Sequence, residues 1–156
     1  NRSFNWISPI NLSWIFFIIY IYKKMIDNKI IRIASDNKYY GLKNTFTHKC
    51  SLKNKKCGDN IVIELIVKKD KINSMRYEAH SCIFCLASAN LIANKIKKLS
   101  IKKLKNDIIN LNNSFKYESR LPRHFSHFKE VINSRNMKRL DCIMLPFQAV
   151  LKALKI

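Results

Sequence analysis

The residues of this chain best able to do chemistry are five cysteines, Cys50, Cys57, Cys82, Cys85 and Cys142. One of them opens a Cys-Gly-Asp triplet, residues 57–59, which uses one of only two glycines among the 156 residues. In an extended segment, side chains two positions apart fall on the same side, so Asp59 can stand beside Cys57. Gly58 permits a tight backbone between them. Thiolates from Cys57, Cys82 and Cys142 with the Asp59 carboxylate make a tetrahedral donor set suited to zinc, or to iron bound with sulfide. The carboxylate is the harder donor, which makes the fourth position weaker and easier to open. Separations of 25 and then 60 residues match no standard zinc-finger or ferredoxin run. Each cysteine taken alone reads equally as a small core residue.

Other residues carry weaker signals. Cys85, three positions after Cys82 on the same helical face, suits a second sulfur carrier, a disulfide partner or a buried filler. Cys50 reads as a bystander, and His48 as a solvated or core histidine. His124 and His127 are spaced to share a helical face, but no third ligand stands beside them. The lysine run from Lys95 to Lys105 is a solvated helical face or a docking surface for an acidic partner.

The elements that must position these groups follow from pattern. "MIDNKIIRIASDNKYYG" places Ile26, Ile30, Ile33 and Ala34 at helical spacing, with Gly41 as its stop. "NIVIELIVKKDKINSMRYEA" is two β-rich runs with a polar turn at Lys69 to Lys71, an antiparallel hairpin. The hairpin returns the chain to its start and so brings Cys57 and Cys82 to one end of the sheet. "CIFCLASANLIANKIKKL" is a helix with Leu86, Ala89, Ile92, Ala93 and Ile96 on one stripe. "SIKKLKNDIINLNN" is another, with Ser100 as N-cap. A loose connection from Ser114 to His127 contains the breaker Pro122. The last segment is a helix kinked or begun near Pro146, with Cys142 at its start. Strands followed by helices, without βαβ alternation, predict an α+β domain.

Composition narrows the function. A net charge of +20 invites a nucleic-acid reading, but 23 Lys stand against 7 Arg, and Arg is the better residue for bidentate phosphate or base contacts. The 23 Ile and 17 Asn have A/T-rich codons as Lys does, so much of the charge reflects nucleotide composition. No nucleic-acid partner is expected. Thiols with Asp and His nearby favour a reduced compartment, the cytoplasm, over disulfides. The apolar run from Trp14 to Tyr22 is nine residues, where a spanning helix needs about 20. No small-residue cleavage site follows it, so no membrane partner is expected. Residues 1–24 are therefore expected to be a non-native or disordered extension, and residues 25–156 one domain.

Three blocks in order, "NKKCGDNIVIEL", "SCIFCLASANLI" and "RLDCIMLPFQAVLKAL", resemble the signature of the NifU/IscU-type iron-sulfur cluster assembly proteins. The spacing of Cys82 and Cys142 resembles the SufU-like branch. The resemblance implies a small three-stranded antiparallel sheet packed by helices, with a third strand near Thr45 to Cys50. It implies that Cys57, Cys82 and Cys142 bind the cluster or metal and that Asp59 is the labile carboxylate. It also implies a scaffold rather than an enzyme: sulfur comes from a cysteine desulfurase, a [2Fe-2S] cluster forms with iron, and recipient apo-proteins take it. The alternative is a zinc-dependent sulfurtransferase of the SufU kind, with Cys57 as persulfide acceptor. Departures are Lys55 after Asn54 instead of Pro, Ala79 and Ser81 for glycines, Phe147 for Trp, and Asp141 where the IscU branch has His. Arg139 matches a basic position of the SufU-like branch.

Overall fold

The computed structural model of the protein describes residues 28–116 and 120–156, with Ser13 and Phe16. Apart from those two, the expected 1–24 extension lies outside the described residues, as does Ile26. Among the described residues no helix is long and apolar enough to cross a membrane.

The elements run α1 (Asn28–Ser35), β1 (His48–Lys53), β2 (Asn60–Lys68), β3 (Lys71–His80), α2 (Ile83–Lys95), α3 (Ile101–Lys116), two 3-10 segments (Arg123–Glu130 and Ser134–Arg139) and α4 (Leu140–Leu154). The strands form an antiparallel sheet in the order β1-β2-β3, so the α+β architecture is as expected. Ile61, Ile63 and Leu65 of β2 alternate inward and are fully buried, as a half-buried strand requires. On β3 the register shifts after Ile66, where Ser74 and then Ile72 pair in succession and Asn73 is the extra residue. That bulge keeps Ile72, Met75 and Tyr77 on the buried side. Lys69 and Asp70 both take positive φ, 48° and 57°, the two-residue turn that fits the sheet twist.

Three boundaries differ from expectation. Helix α1 stops at Ser35, six residues before Gly41. The Ser35 hydroxyl donates to the Ile31 carbonyl at 2.7 Å, and Asp36 Oδ1 accepts from the Lys38 N–H at 3.0 Å, local bonds that compete with the helix. Strand β1 is His48–Lys53 rather than Thr45 to Cys50, because its partners begin with Asn60 opposite Lys53. Helix α4 neither begins nor breaks at Pro146 but runs through it from Leu140. The missing Pro146 N–H leaves the Cys142 carbonyl without its intrahelical donor.

The core lies between the sheet and the helices. Small residues let α2 bury nearly its whole circumference, including Cys85, Ala87, Ser88, Ala89, Ile92 and Ala93, against α1, α4 and β3. Of the expected stripe, Leu86 is only half-buried. The Ser88 hydroxyl donates to the Ile143 carbonyl at 2.6 Å and ties α2 to α4. Phe147, where the family has Trp, meets Phe125 edge-on at 5.2 Å and Phe128 at 5.0 Å. Such pairs add about 0.5–1.5 kcal/mol each beyond burial. Ser100 caps α3, its hydroxyl accepting from the Lys103 N–H at 3.3 Å.

Candidate metal centre

Three pieces of backbone meet at one end of the sheet. The first is the β1–β2 loop. The Asn54 N–H donates to the Asp59 carbonyl at 2.8 Å, the Gly58 N–H donates to the Asn54 carbonyl at 2.9 Å, and Asn54 Oδ1 accepts from the Lys56 N–H at 2.9 Å. Gly58 takes φ +79°, and a Cβ there would meet nothing within 4 Å. Conformation rather than space therefore calls for glycine. The loop leaves Cys57 exposed and turns Asp59 inward, to 6% exposure.

The second piece is the start of α4, which buries Cys142 in its first turn with its Sγ 3.4 Å from that of Cys57. Beside them Lys56 Nζ lies 2.7 Å from Asp141 Oδ2, so the neighbours of the two thiols pair as well. Both partners are mostly exposed, and such a pair adds little stability. Asp141, which stands where the IscU branch has His, is turned to this lysine.

The third piece is the start of α2. Cys82 is its N-cap residue, and the Cys82 N–H donates to Asp59 Oδ1 at 3.0 Å. Cys82 and Cys142 thus both stand at helix N-termini, whose partial positive charge works against the burial of their thiols. The donor atoms of Cys57, Asp59 and Cys142 all lie within 4.8 Å of one another. The Cys82 sulfur is outside that group but beside it, acting on both the Asp59 carboxylate and the Cys142 thiol.

The electrostatics are those of donors crowded together in a partly buried place. Burial pushes the Cys142 thiol well above the ordinary range, and the Cys57 thiol, Cys82 and Asp59 push it further. Burial also raises Cys82, against the pull of the Cys85 N–H. For Asp59, burial alone would raise the carboxyl, but the thiol and N–H of Cys82 and the thiols of Cys142 and Cys57 outweigh it and hold it low. Asp59 Oδ2 is buried, with thiols rather than N–H groups around it, and S–H is a weak donor to a buried carboxylate. Soft sulfurs around one hard oxygen fit zinc, or iron with sulfide, and binding would displace the thiol protons.

The remaining sequence candidates stand apart. Cys85 is fully buried, and burial pushes its thiol up to about 12, which makes it a protonated core residue. Cys50 is buried in β1 with its thiol likewise raised by burial. His48 Nδ1 is 2.9 Å from the Thr47 hydroxyl. His124 Nδ1 is 3.6 Å from Asp107 Oδ2, and His127 is exposed. Arg139 is the exposed N-cap residue of α4. The Lys56–Asp141 pair was not foreseen: its partners are 85 positions apart, and no local pattern announces them.

Residues 25–155 match the family described as the NifU-like N terminal domain, and the chain belongs to that family. It is 28% identical over 137 residues to an uncharacterized protein of Borreliella burgdorferi, covering 81% of this chain and 87% of that protein. Its fold is similar to the crystal structure of the N-terminal part of a nitrogen-fixing NifU-like protein from Brucella abortus. The TM-score is 0.76 at 17% identity, covering 86% of this chain and 95% of that one. It is also similar to the crystal structure of a putative iron-sulfur cluster assembly scaffold protein for the SUF system from Fervidobacterium islandicum. There the TM-score is 0.74 at 20% identity, covering 84% and 97%.

Proposed function

We propose that this protein is a scaffold on which a [2Fe-2S] cluster is built and from which it is passed on, with Cys57, Cys82 and Cys142 as thiolate ligands and Asp59 as the labile one. The observation that carries this reading is the gathering of the Cys57, Asp59 and Cys142 donors within 4.8 Å of one another, with the Asp59 carboxylate buried and held by the Cys82 N–H. Family membership and the likeness to a SUF-system scaffold support it. In this reading sulfur comes from a cysteine desulfurase, recipient apo-proteins take the cluster, and the five free thiols suit the reduced cytoplasm. Asp59 stays charged when the thiols are still protonated, so it offers the first anionic contact to iron. Being the weak oxygen donor, it is also the first to let go.

A second reading rests on the exposure of Cys57 beside a half-buried Cys82 and a buried Cys142. In a zinc-dependent sulfurtransferase the metal would hold the site together while Cys57 exchanges. Its thiolate would attack the outer sulfur of a donor persulfide, the donor S–S bond would break, and the donor thiolate would leave. Anaerobic purification followed by iron, acid-labile sulfide and zinc analysis separates the two. Iron and sulfide in equal amounts support the scaffold; zinc alone, with sulfur transferable to Cys57, supports the sulfurtransferase and overturns the first reading.

A further inference from the structure

Beside the exposed Cys57 lies a groove of about 280 Å³ between the β1–β2 loop and α4. Leu52 and Leu145 form its floor, and Lys53, Lys55, Lys56 and Gln148 line its rim. The volume is below the usual range for a small-molecule pocket, and the opening suits one or two side chains of a protein segment. Among the described residues β1 is an edge strand, with no strand paired on its outer side.

The charge around it is one-sided. Asp141, the acid of the groove, is already paired with Lys56 at 2.7 Å. Lys53 and Lys55 are exposed and make no ion pair among the described residues. Arg135, Lys138 and Arg139, on the approach to α4, are exposed as well. The groove rim holds lysines, without the arginines or exposed aromatic rings that would stack bases or grip phosphate in two places, so a nucleic acid is the poorer fit.

We propose that this groove docks an acidic segment of a recipient protein, whose carboxylates meet Lys53 and Lys55 while an apolar side chain covers the half-buried Leu52 above Leu145. The proposal rests on the reading of the thiol centre as a point of hand-off. A small groove ringed by long, mobile lysine side chains makes a weak and sequence-tolerant contact, which suits brief delivery to several recipients better than one tight complex. Charge complementarity of this kind acts mainly on the rate of encounter and is screened by salt.

The test follows transfer from the reconstituted full chain to an acidic [2Fe-2S] ferredoxin in its apo form, at low and high salt, alongside direct binding of the unloaded chain to that ferredoxin. The charge-reversed pair Lys53→Glu/Lys55→Glu is compared with Lys68→Glu/Lys71→Glu, which makes the same change in net charge on exposed lysines at the hairpin end of the sheet, away from the thiols. The expected result at low salt is transfer and binding weakened about tenfold by the first pair, within about twofold of wild type for the second, with cluster loading unchanged in both. Equal weakening by both pairs would reduce the effect to net charge and overturn the proposal, as would no effect of the first pair. A chain that takes up no iron and sulfide counts against the scaffold reading instead, and the binding titration then decides the docking by itself.

Discussion

Asp59 and Glu64 are buried carboxylates five positions apart, 6% and 2% exposed, in opposite surroundings. Glu64 faces the outer side of the sheet, where Oε2 accepts from the N–H groups of Lys43 and Asn44 at 2.9 and 3.1 Å, and Oε1 meets Lys49 Nζ at 3.0 Å. Burial would raise its carboxyl, but Lys49 and the two N–H groups hold it below the ordinary range. Both of its oxygens are occupied, and it pins the connection between α1 and β1 to the sheet. Asp59 has one oxygen on the Cys82 N–H at 3.0 Å and the other among the thiols of Cys82, Cys142 and Cys57. Strong N–H donors on both oxygens make Glu64 a fastening, whereas the weak S–H donors around Asp59 leave its second oxygen able to exchange partners.

The largest effect expected from that contrast is on metal content. Cys57→Ser, Cys82→Ser and Cys142→Ser should each bring bound iron, sulfide or zinc to background, while Glu64→Gln keeps the wild-type amount. Full loading of Cys82→Ser would show that the three donors within 4.8 Å suffice, and would remove Cys82 from the set.

Next in size is stability. Glu64→Ala leaves two N–H groups without an acceptor and Lys49 unpaired, and should cost about 2 kcal/mol in urea unfolding. The folded carboxyl is depressed, so its contribution is fully present above the unfolded value, near ~4.3, and is lost as pH falls through the folded value. Wild-type stability should decline below about pH 5, and Glu64→Gln should flatten that decline. An unchanged slope would mean that Glu64 is not the group responsible.

Asp59→Ala should cost about 1 kcal/mol, less than Glu64→Ala because one N–H loses its acceptor rather than two. Its effect belongs to exchange: a bound cluster should persist longer and transfer several-fold more slowly, read by visible absorbance during transfer to an apo-ferredoxin. Transfer at the wild-type rate would make Asp59 a turn residue beside Gly58.

The smallest effects concern backbone. Gly58→Ala should cost about 1 kcal/mol, because φ +79° is unfavourable for any residue with a Cβ. At the far end of the sheet Lys98 carries φ +69°, and Lys98→Gly should gain roughly 0.5 kcal/mol in thermal unfolding without touching metal content.

The Val and Ile content of "NIVIELIV" and the polar turn at Lys69 to Lys71 are enough to predict the hairpin, and the hairpin alone implies that Cys57 and Cys82 share an end of the sheet, because an antiparallel return is a local constraint. The three blocks likewise carried the family and its α+β fold. What lay beyond the sequence depended on packing between distant segments. The 3.4 Å approach of Cys142 to Cys57 is set by how α4 seats against the sheet, across 85 positions of chain that no local propensity spans. The same holds for Pro146, tolerated inside a helix because that helix is held by its buried face. It holds too for Glu64, whose donors come from the connection that folds back from Lys43 and Asn44. Tertiary contact decides these because each exchanges water for a specific partner, and a partner far along the chain is chosen only when the whole core closes.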